Sequence, residues 1–151
     1  MLFQGTEFED VKLPCNRENM TKLAEALESG DYEQGKNYLL TTKDDKRKYC
    51  CLGVACEISG LGDWIPVRPL HSKSNYVVSD VDYCDAELPH AVQEWLGIEH
   101  GMMILGIHST GDVLTAAKLN DAQPGDYPMN PGEAYDFAAI AAKIRETYLT
   151  D

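Results

Sequence analysis

The clearest pattern in the first third of the chain is a helical repeat of apolar residues. Four of them follow the i, i+3, i+4, i+7 spacing that places side chains on one face of a helix: Met20, Leu23, Ala24 and Leu27. Asn16 precedes the repeat, and asparagine is a preferred N-cap. Gly30 follows it, and glycine commonly ends helices. We therefore predict a helix over residues 17–29 that buries one face.

A second helical repeat lies near the end of the chain. Its apolar stripe consists of Phe137, Ile140, Ala141, Ile144 and Tyr148. Upstream of the stripe, Asn130 is a suitable N-cap and Pro131 suits the first helical position. Glu133 completes a capping box with Asn130. The pattern predicts a final helix that begins directly after Asn130.

Between these repeats the pattern predicts a hairpin and a buried helix. Residues 37–42 and 46–50 flank the charged segment 43–45, which is typical of a β-hairpin with a charged turn. Residues 51–59 are apolar nearly all round, which indicates a short buried helix at the centre of the core. Gly53 in this helix would allow a second backbone or a ligand to approach closely.

The second half of the chain is less regular. Residues 76–78 could form a short strand, and residues 102–107 are typical of a buried strand. Leu88 and Pro89 open a helix that ends at Gly97, and residues 112–119 are either strand or helix. These elements predict a single α+β domain with about four helices packed around a small, mainly antiparallel sheet.

The first residues resemble expression-vector sequence. Leu2-Phe3-Gln4-Gly5 matches the core of a viral protease cleavage site, and Gly5-Thr6-Glu7-Phe8 reads like two restriction sites in frame. We therefore interpret residues 1–8 as a cloning scar and exclude them from the fold. The predicted domain spans residues 9–151.

The composition restricts the class of partner. The chain carries 25 acidic and 13 basic residues, for a formal net charge of -12. Such a surface repels nucleic acid and anionic lipid and favours a basic partner, although it could also serve solubility alone or imitate a nucleic-acid backbone. No apolar run is long enough to span a membrane, and no secretory leader opens the chain. The five cysteines, an odd number with two adjacent, indicate reduced thiols.

Cys51 is the first candidate for chemistry, because a thiol at a helix N-terminus is expected to have a lowered pKa. His108 would be its base, Asp112 or Asn120 would orient the histidine, and Gln34 could serve an oxyanion; this is the layout of a cysteine hydrolase. The alternative, which we favour, is that the cysteines of this segment are small buried hydrophobic residues. The histidines and cysteines lack the paired spacing of a zinc site, so neither a metal nor a cofactor is predicted.

A polar set forms the second candidate site. Asn120 and Asp121 either cap a helix or turn, or point into a pocket with Tyr32 and Gln34, where they would bond a small ligand. Basic side chains around the hairpin would supply positive charge for a nucleotide; they are Lys36, Lys43, Lys46, Arg47 and Lys48. The predicted ligand-binding set is Tyr32, Gln34, Cys51, Asn120, Asp121, Arg47 and Lys48.

The order of several segments resembles a known group of proteins. The segments are residues 30–35, 49–56, 88–97, 119–121 and 137–144, and the Cys-Cys-Leu-Gly and Leu-Asn-Asp pieces are the most specific. The order resembles a widespread group of small uncharacterised proteins of tailed phages and prophages, over about residues 17–149. A long loop at residues 122–130 departs from that pattern.

The resemblance implies a setting, the cytoplasm of a bacterial host cell, and no mechanism. Small acidic phage proteins often act by binding, and by analogy we expect stoichiometric binding here. The expected partner is a host defence protein with a basic surface, such as a CRISPR effector or another nucleic-acid-binding protein, or a nucleotide immune signal that the protein sequesters. A cysteine hydrolase that uses Cys51 and His108 is the alternative. We expect no direct binding of nucleic acid or membrane.

Overall fold

Five α-helices occur in the residues that the computed structural model describes, which are 1–67, 72–122 and 135–150. The helices are α1 (Arg17–Glu28), α2 (Cys51–Ser59), α3 (His90–Leu96), α4 (Ala116–Asp121) and α5 (Phe137–Ile144). A π-helical segment, Arg145–Leu149, continues α5 directly. None of the helices in this described part is long and apolar enough to cross a membrane.

The strands form three antiparallel sheets in the described residues. They are β1 (Leu2–Phe3), β2 (Thr6–Glu7), β3 (Leu40–Lys43), β4 (Lys46–Tyr49), β5 (Asp63–Pro66), β6 (Lys73–Ser79), β7 (Asp82–Cys84), β8 (Ile104–Ile107) and β9 (Val113–Thr115). The largest sheet has the order β4-β3-β6-β5, with β7 also paired to β6. The pairs β1–β2 and β8–β9 form the two small sheets. The predicted α+β class with antiparallel strands is confirmed.

The locally encoded elements agree with the sequence analysis. Helix α1 begins where predicted, and Asn16 Oδ1 accepts a hydrogen bond from the backbone N–H of Asn19 at 3.0 Å. The β3–β4 hairpin is also confirmed. Asp44 and Asp45 at its turn have φ values of 52° and 63°, which is the left-handed backbone that a two-residue hairpin turn requires. Helix α2 has the predicted bounds, and Gly60 ends it in the left-handed conformation.

Helix α2 forms the centre of the core. Each residue from Cys51 to Cys56 is buried, α1 packs against α2 and α5, and α4 packs against the same two helices. The predicted close approach at Gly53 is confirmed, because a Cβ atom there would lie 1.8 Å from the carbonyl oxygen of Leu39. The residue before β3 is therefore pressed against the first turn of α2.

Two predictions about the second half of the chain need correction or completion. The final helix begins at Phe137, and its N-cap is Asp136, whose carboxylate accepts from the N–H of Ala139 at 2.8 Å. The start was therefore placed too early; the supposed cap Asn130, with Pro131 and Glu133, lies outside the described residues. The ambiguous segment 112–119 is both strand and helix, since β9 runs directly into α4.

The residues interpreted as a cloning scar pack against the domain. Phe3 and Phe8 are each 6% exposed and belong to the hydrophobic core. The N–H of Phe8 bonds to the carbonyl of Met1 at 2.8 Å, and Glu9 pairs with Ile107 in an isolated antiparallel bridge. The vector origin of residues 1–8 stays a prediction, but the fold includes them.

Candidate functional site

Gln34, Cys51 and Asn120 meet at the N-terminal end of α2. The Asn120 side-chain oxygen accepts hydrogen bonds from Gln34 Nε2 at 3.0 Å and from the backbone N–H of Cys51 at 3.1 Å. Asn120 Nδ2 donates to the carbonyl of Gly35 at 2.8 Å. Because a helix N-terminus leaves its first N–H groups without partners inside the helix, Asn120 satisfies one of these groups from a distant part of the chain.

The neighbouring residue Asp121 extends this network to the connector before β3. Asp121 Oδ1 accepts from Asn120 Nδ2 at 3.1 Å and from the N–H of Asn37 at 2.8 Å. The Lys36 ammonium donates to the carbonyls of Asn120 and Ala122 at 2.9 and 2.7 Å. Three segments that are distant in sequence are therefore joined by one continuous set of hydrogen bonds.

The network is closed to solvent at its centre. Asn120 is fully buried, and both polar atoms of its side chain, Oδ1 and Nδ2, have protein partners. Gln34 Nε2 makes a second bond, to the carbonyl of Tyr135 at 2.9 Å. The predicted polar residues thus come together and bond one another, and among the described residues Asp121, with Asn37 and Ala122, also lines a cleft of about 390 Å³ beside the network.

The Cys51 thiol does not have the lowered pKa expected of a helix N-terminus. It is fully buried, and desolvation raises its pKa well above the ordinary value, because burial disfavours the charged thiolate. The Cys51 thiol donates a hydrogen bond to the carbonyl oxygen of Ala116, with 3.6 Å between sulfur and oxygen. Cys50 is also buried, and this raises its pKa to about 12; its sulfur caps α2 by accepting from the N–H of Gly53 at 3.3 Å. The burial of Cys50, Cys51 and Cys56 agrees with the favoured interpretation of these residues as small buried hydrophobic side chains.

His108 and Asp112 belong to the β8–β9 turn. The backbone N–H of His108 bonds to the carbonyl of Asp112 at 2.7 Å, and the ring Nδ1 lies 2.7 Å from the hydroxyl of Thr110. The ring also contacts Phe8 edge-on, with centroids 6.1 Å apart. Within the described residues none of these contacts links His108 to Cys51. The hydrolase therefore stays a hypothesis without support from the geometry.

Thiol reactivity provides a direct check on this arrangement. We expect iodoacetamide to modify Cys15 and Cys84 in the native protein, and to leave Cys50, Cys51 and Cys56 intact. Modification of the buried three should be at least about 100-fold slower than in urea, because they react only after opening of the fold. Peptide mapping by mass spectrometry measures this. Alkylation of Cys51 ahead of Cys15 and Cys84 would contradict the buried arrangement and revive the hydrolase.

The two predicted basic ligands face opposite sides of the hairpin. Side chains alternate along a strand: Arg47 Nη1 reaches the Tyr49 hydroxyl at 3.5 Å on one face, and Lys48 lies on the other. Tyr32 packs edge-on against Tyr49 with centroids 5.3 Å apart, which makes it part of an aromatic cluster that we define as Tyr32, Tyr49, Trp64 and Tyr76. The predicted ligand set therefore divides among the closed network, the aromatic cluster and the two faces of the hairpin.

The outward face of the hairpin carries a shallow basic cleft of about 250 Å³. Its lining includes Lys43, Lys46 and Lys48, together with Glu33 and Asp44. Glu33 lies 3.8 Å from the Lys48 ammonium as an ion pair. The positive charge predicted for this hairpin is thus present, but two carboxylates offset part of it.

A feature that the sequence analysis missed is an acid-only segment, which we define as residues 74–117. It contains no lysine or arginine, and its acidic residues are Asp80, Asp82, Asp85, Glu87, Glu94, Glu99 and Asp112. All of them are exposed or half-buried. The signal was the long interval without lysine or arginine between Lys73 and Lys118.

Only some of the carboxylates in the acid-only segment have a structural role. Asp82 caps α3, with its two oxygens accepting from the N–H groups of His90 and Ala91 at 2.7 and 2.9 Å, and Asp85 pairs with Lys73 at 2.9 Å. In contrast, the carboxylates of Glu87, Glu94 and Glu99 have no hydrogen-bond or ion-pair partner in the described part of the chain; all three are exposed.

Comparison with known proteins identifies a family. A family model with the description "Domain of unknown function (DUF8296)" matches residues 15–148, which is most of the chain. No curated protein and no solved structure gives a significant match.

Proposed function

We propose that the chain, which belongs to the DUF8296 family, acts by stoichiometric binding of a partner protein with a basic surface. The observation that carries the proposal is the acid-only segment, in which the exposed carboxylates of Glu87, Glu94 and Glu99 have no hydrogen-bond or ion-pair partner among the described residues. Complementary charge accelerates encounter and selects among partners more than it raises affinity. The acidic segment would therefore steer and orient a basic partner.

The distribution of the basic residues supports the same proposal. Outside the hairpin, several described cations are held by local partners: Lys143 by Asp10 and Glu146, and Arg145 by Glu28 at 2.6 Å. The acid-only segment contains no lysine or arginine, and the neighbouring Lys73 is held by Asp85. A basic partner would therefore meet the negative charge of Glu87, Glu94 and Glu99 there.

The class of partner follows from the chemistry of nucleic-acid binding. Proteins that bind nucleic acid carry surfaces rich in lysine and arginine, because they neutralise phosphates. An acidic binding protein can occupy such a surface. Together with the resemblance to phage and prophage proteins, this supports a host defence component, such as a CRISPR effector, as the target, and binding in the bacterial cytoplasm.

The test is a capture experiment from the bacterial host lysate with three immobilised forms of the protein. They are the wild type, the variant Glu87→Gln/Glu94→Gln/Glu99→Gln, and the matched variant Glu18→Gln/Glu25→Gln/Asp31→Asn, which has the same change of net charge elsewhere. We expect a basic protein to be retained by the wild type and the matched variant, with about tenfold less on the first variant. Mass spectrometry of the eluted proteins measures the ratio, and raised salt should release the partner.

The capture experiment can also contradict the proposal. A partner retained equally by all three forms would show that the acid-only segment is not the binding surface. Loss that is equal in both variants would show that net charge alone is responsible. Retention of no protein by the wild type at physiological salt would exclude a stable basic partner in that lysate.

Sequestration of a nucleotide is the second candidate function, and the basic cleft on the hairpin favours it. Lys43, Lys46 and Lys48 line a cleft of about 250 Å³, which is slightly below the usual range of small-ligand pockets. The test adds a fourth immobilised form, with Lys43, Lys46 and Lys48 replaced by glutamine, and identifies the eluted small molecules by mass spectrometry. A nucleotide that is retained by the wild type and lost from Lys43→Gln/Lys46→Gln/Lys48→Gln would favour this function over protein binding.

A further inference from the structure

An apolar cleft of about 470 Å³ is lined in part by residues of the acid-only segment. Its apolar walls come from Leu13, Pro14, Ile98, Ile104 and Tyr148. Ile98 and Ile104 belong to the acid-only segment, whereas Leu13 and Pro14 come from the chain before α1, and Tyr148 comes from the π-helical segment. The volume lies within the range of about 300–1,000 Å³ that holds small ligands.

The walls of the cleft are fixed by hydrogen bonds. The N–H of Leu13 bonds to the carbonyl of Thr147 at 2.9 Å, and the N–H of Ile98 to that of Gln93 at 3.0 Å. The Tyr148 hydroxyl donates to the carbonyl of Ile104 at 2.6 Å. Because each wall is tied to another element, the cleft is preformed, and a ligand would lose little free energy in ordering it.

The polar edge of the cleft is acidic. Glu99 and His100 line it, and Glu99 is exposed. His100 Nδ1 accepts from the N–H of Met102 at 3.1 Å, which leaves Nε2 as the ring nitrogen that can bond a ligand. No lysine or arginine is among the described residues that line the cleft.

From these observations we infer that the cleft is an anchor pocket for one large apolar side chain of the basic partner, with a lysine or arginine beside it that faces Glu99. The inference rests on the proposed function and specifies its partner. Interfaces commonly place an aromatic residue in a preformed pocket and charged residues around it. A second copy of this chain is disfavoured as the occupant, because it would bring its own negative charge to an acidic edge.

Three short peptides test separately the two parts of the inferred contact, which are the apolar side chain in the cleft and the cation beside it. They are acetyl-Arg-Trp-Arg-amide, acetyl-Arg-Ala-Arg-amide, which lacks the anchor, and acetyl-Glu-Trp-Glu-amide, which has the anchor with reversed charge. Each is titrated into ¹⁵N-labelled protein. We expect the first to give saturable shifts of the amides of Gly97, Ile98 and Glu99 with a Kd on the order of 1 mM. The other two should bind at least about tenfold more weakly.

Two pairs of variants locate the contacts. Ile98→Ala should weaken the tryptophan peptide about fivefold by removing part of the wall, whereas Ile65→Ala, an exposed isoleucine on β5, should not. Glu99→Gln should weaken it about threefold and reduce the preference for arginine over glutamate. Glu25→Gln, on the exposed side of α1, is the matched control and should leave the affinity unchanged.

The outcomes distinguish the inference from the function on which it rests. If acetyl-Arg-Trp-Arg-amide gives no saturable shift at the cleft, the anchor pocket is excluded, even where the capture experiment yields a basic partner. Equal binding of all three peptides would also exclude it. If the peptide binds as expected while no basic protein is captured, the preference of the cleft for an apolar side chain beside a cation stands, whereas the proposed function, and the basic partner with it, fails.

Discussion

Replacement of Gly53 by alanine is expected to destabilise the protein by at least about 4 kcal/mol, a loss that only a few mechanisms produce. A Cβ atom at this position would lie 1.8 Å from the carbonyl oxygen of Leu39 and 2.7 Å from its carbonyl carbon. These are backbone atoms, so no side-chain rotation relieves the overlap. The gain of about 1 kcal/mol in helix propensity from glycine to alanine is much smaller. Urea unfolding followed by circular dichroism measures the difference.

Gly30→Ala is the matched control for this substitution. Gly30 has a φ of 79°, and a Cβ atom there would meet nothing within 4 Å. Its replacement should cost about 1–2 kcal/mol, from the left-handed backbone alone. If Gly53→Ala unfolds at a urea concentration close to that of Gly30→Ala, the contact between Leu39 and α2 is not as close as described. An insoluble Gly53→Ala protein beside a soluble Gly30→Ala protein agrees with the expectation.

Elements whose signals are local could be predicted from the sequence. Each of these signals lies within a few residues of the element that it specifies. They are the N-cap Asn16 of α1, the turn residues Asp44 and Asp45 of the hairpin, and the continuous apolar segment of α2. The final helix shows the limit of such reasoning. The capping pattern at residues 130–133 and the later Asp136 both precede the apolar stripe, and the helix begins after Asp136.

The site could be predicted only in part, because its contacts are long-range. The sequence indicated that Gln34, Cys51 and Asn120 belong together. It did not indicate that Asn120 Oδ1 and Nδ2 would both bond other parts of the protein. Because both atoms have protein partners, they are occupied within the network. Arg47 and Lys48 were grouped for a different reason: both lie in a strand that the sequence predicted, and strand alternation, a local rule, already places adjacent side chains on opposite faces.

The two motifs that are most specific to the resemblance, Cys-Cys-Leu-Gly and Leu-Asn-Asp, have structural roles. In Cys-Cys-Leu-Gly, Cys50 caps α2 and Gly53 admits the Leu39 carbonyl. In Leu-Asn-Asp, Asn120 and Asp121 join α4 to the start of α2 and to the connector before β3. Because these residues are accounted for by the fold, a search for function is better directed to the surface, where Glu87, Glu94 and Glu99 of the acid-only segment have no structural partner among the described residues.

Replacement of Asn120 by alanine is expected to destabilise the protein by about 3–4 kcal/mol, since each buried polar group left without a partner costs about 1–3 kcal/mol. The variant would leave the N–H of Cys51 and the carbonyl of Gly35 without their partner. For a chain of this size the loss lowers the Tm by roughly 10 °C. Asn75→Ala is the control: Asn75 is half-buried on β6, and its side chain bonds no other described residue, so its replacement should cost less than about 1 kcal/mol. A Tm of Asn120→Ala within 3 °C of the wild type would show that the network is not what holds α2, α4 and the connector together, and would reopen the possibility that Asn120 is kept for a ligand.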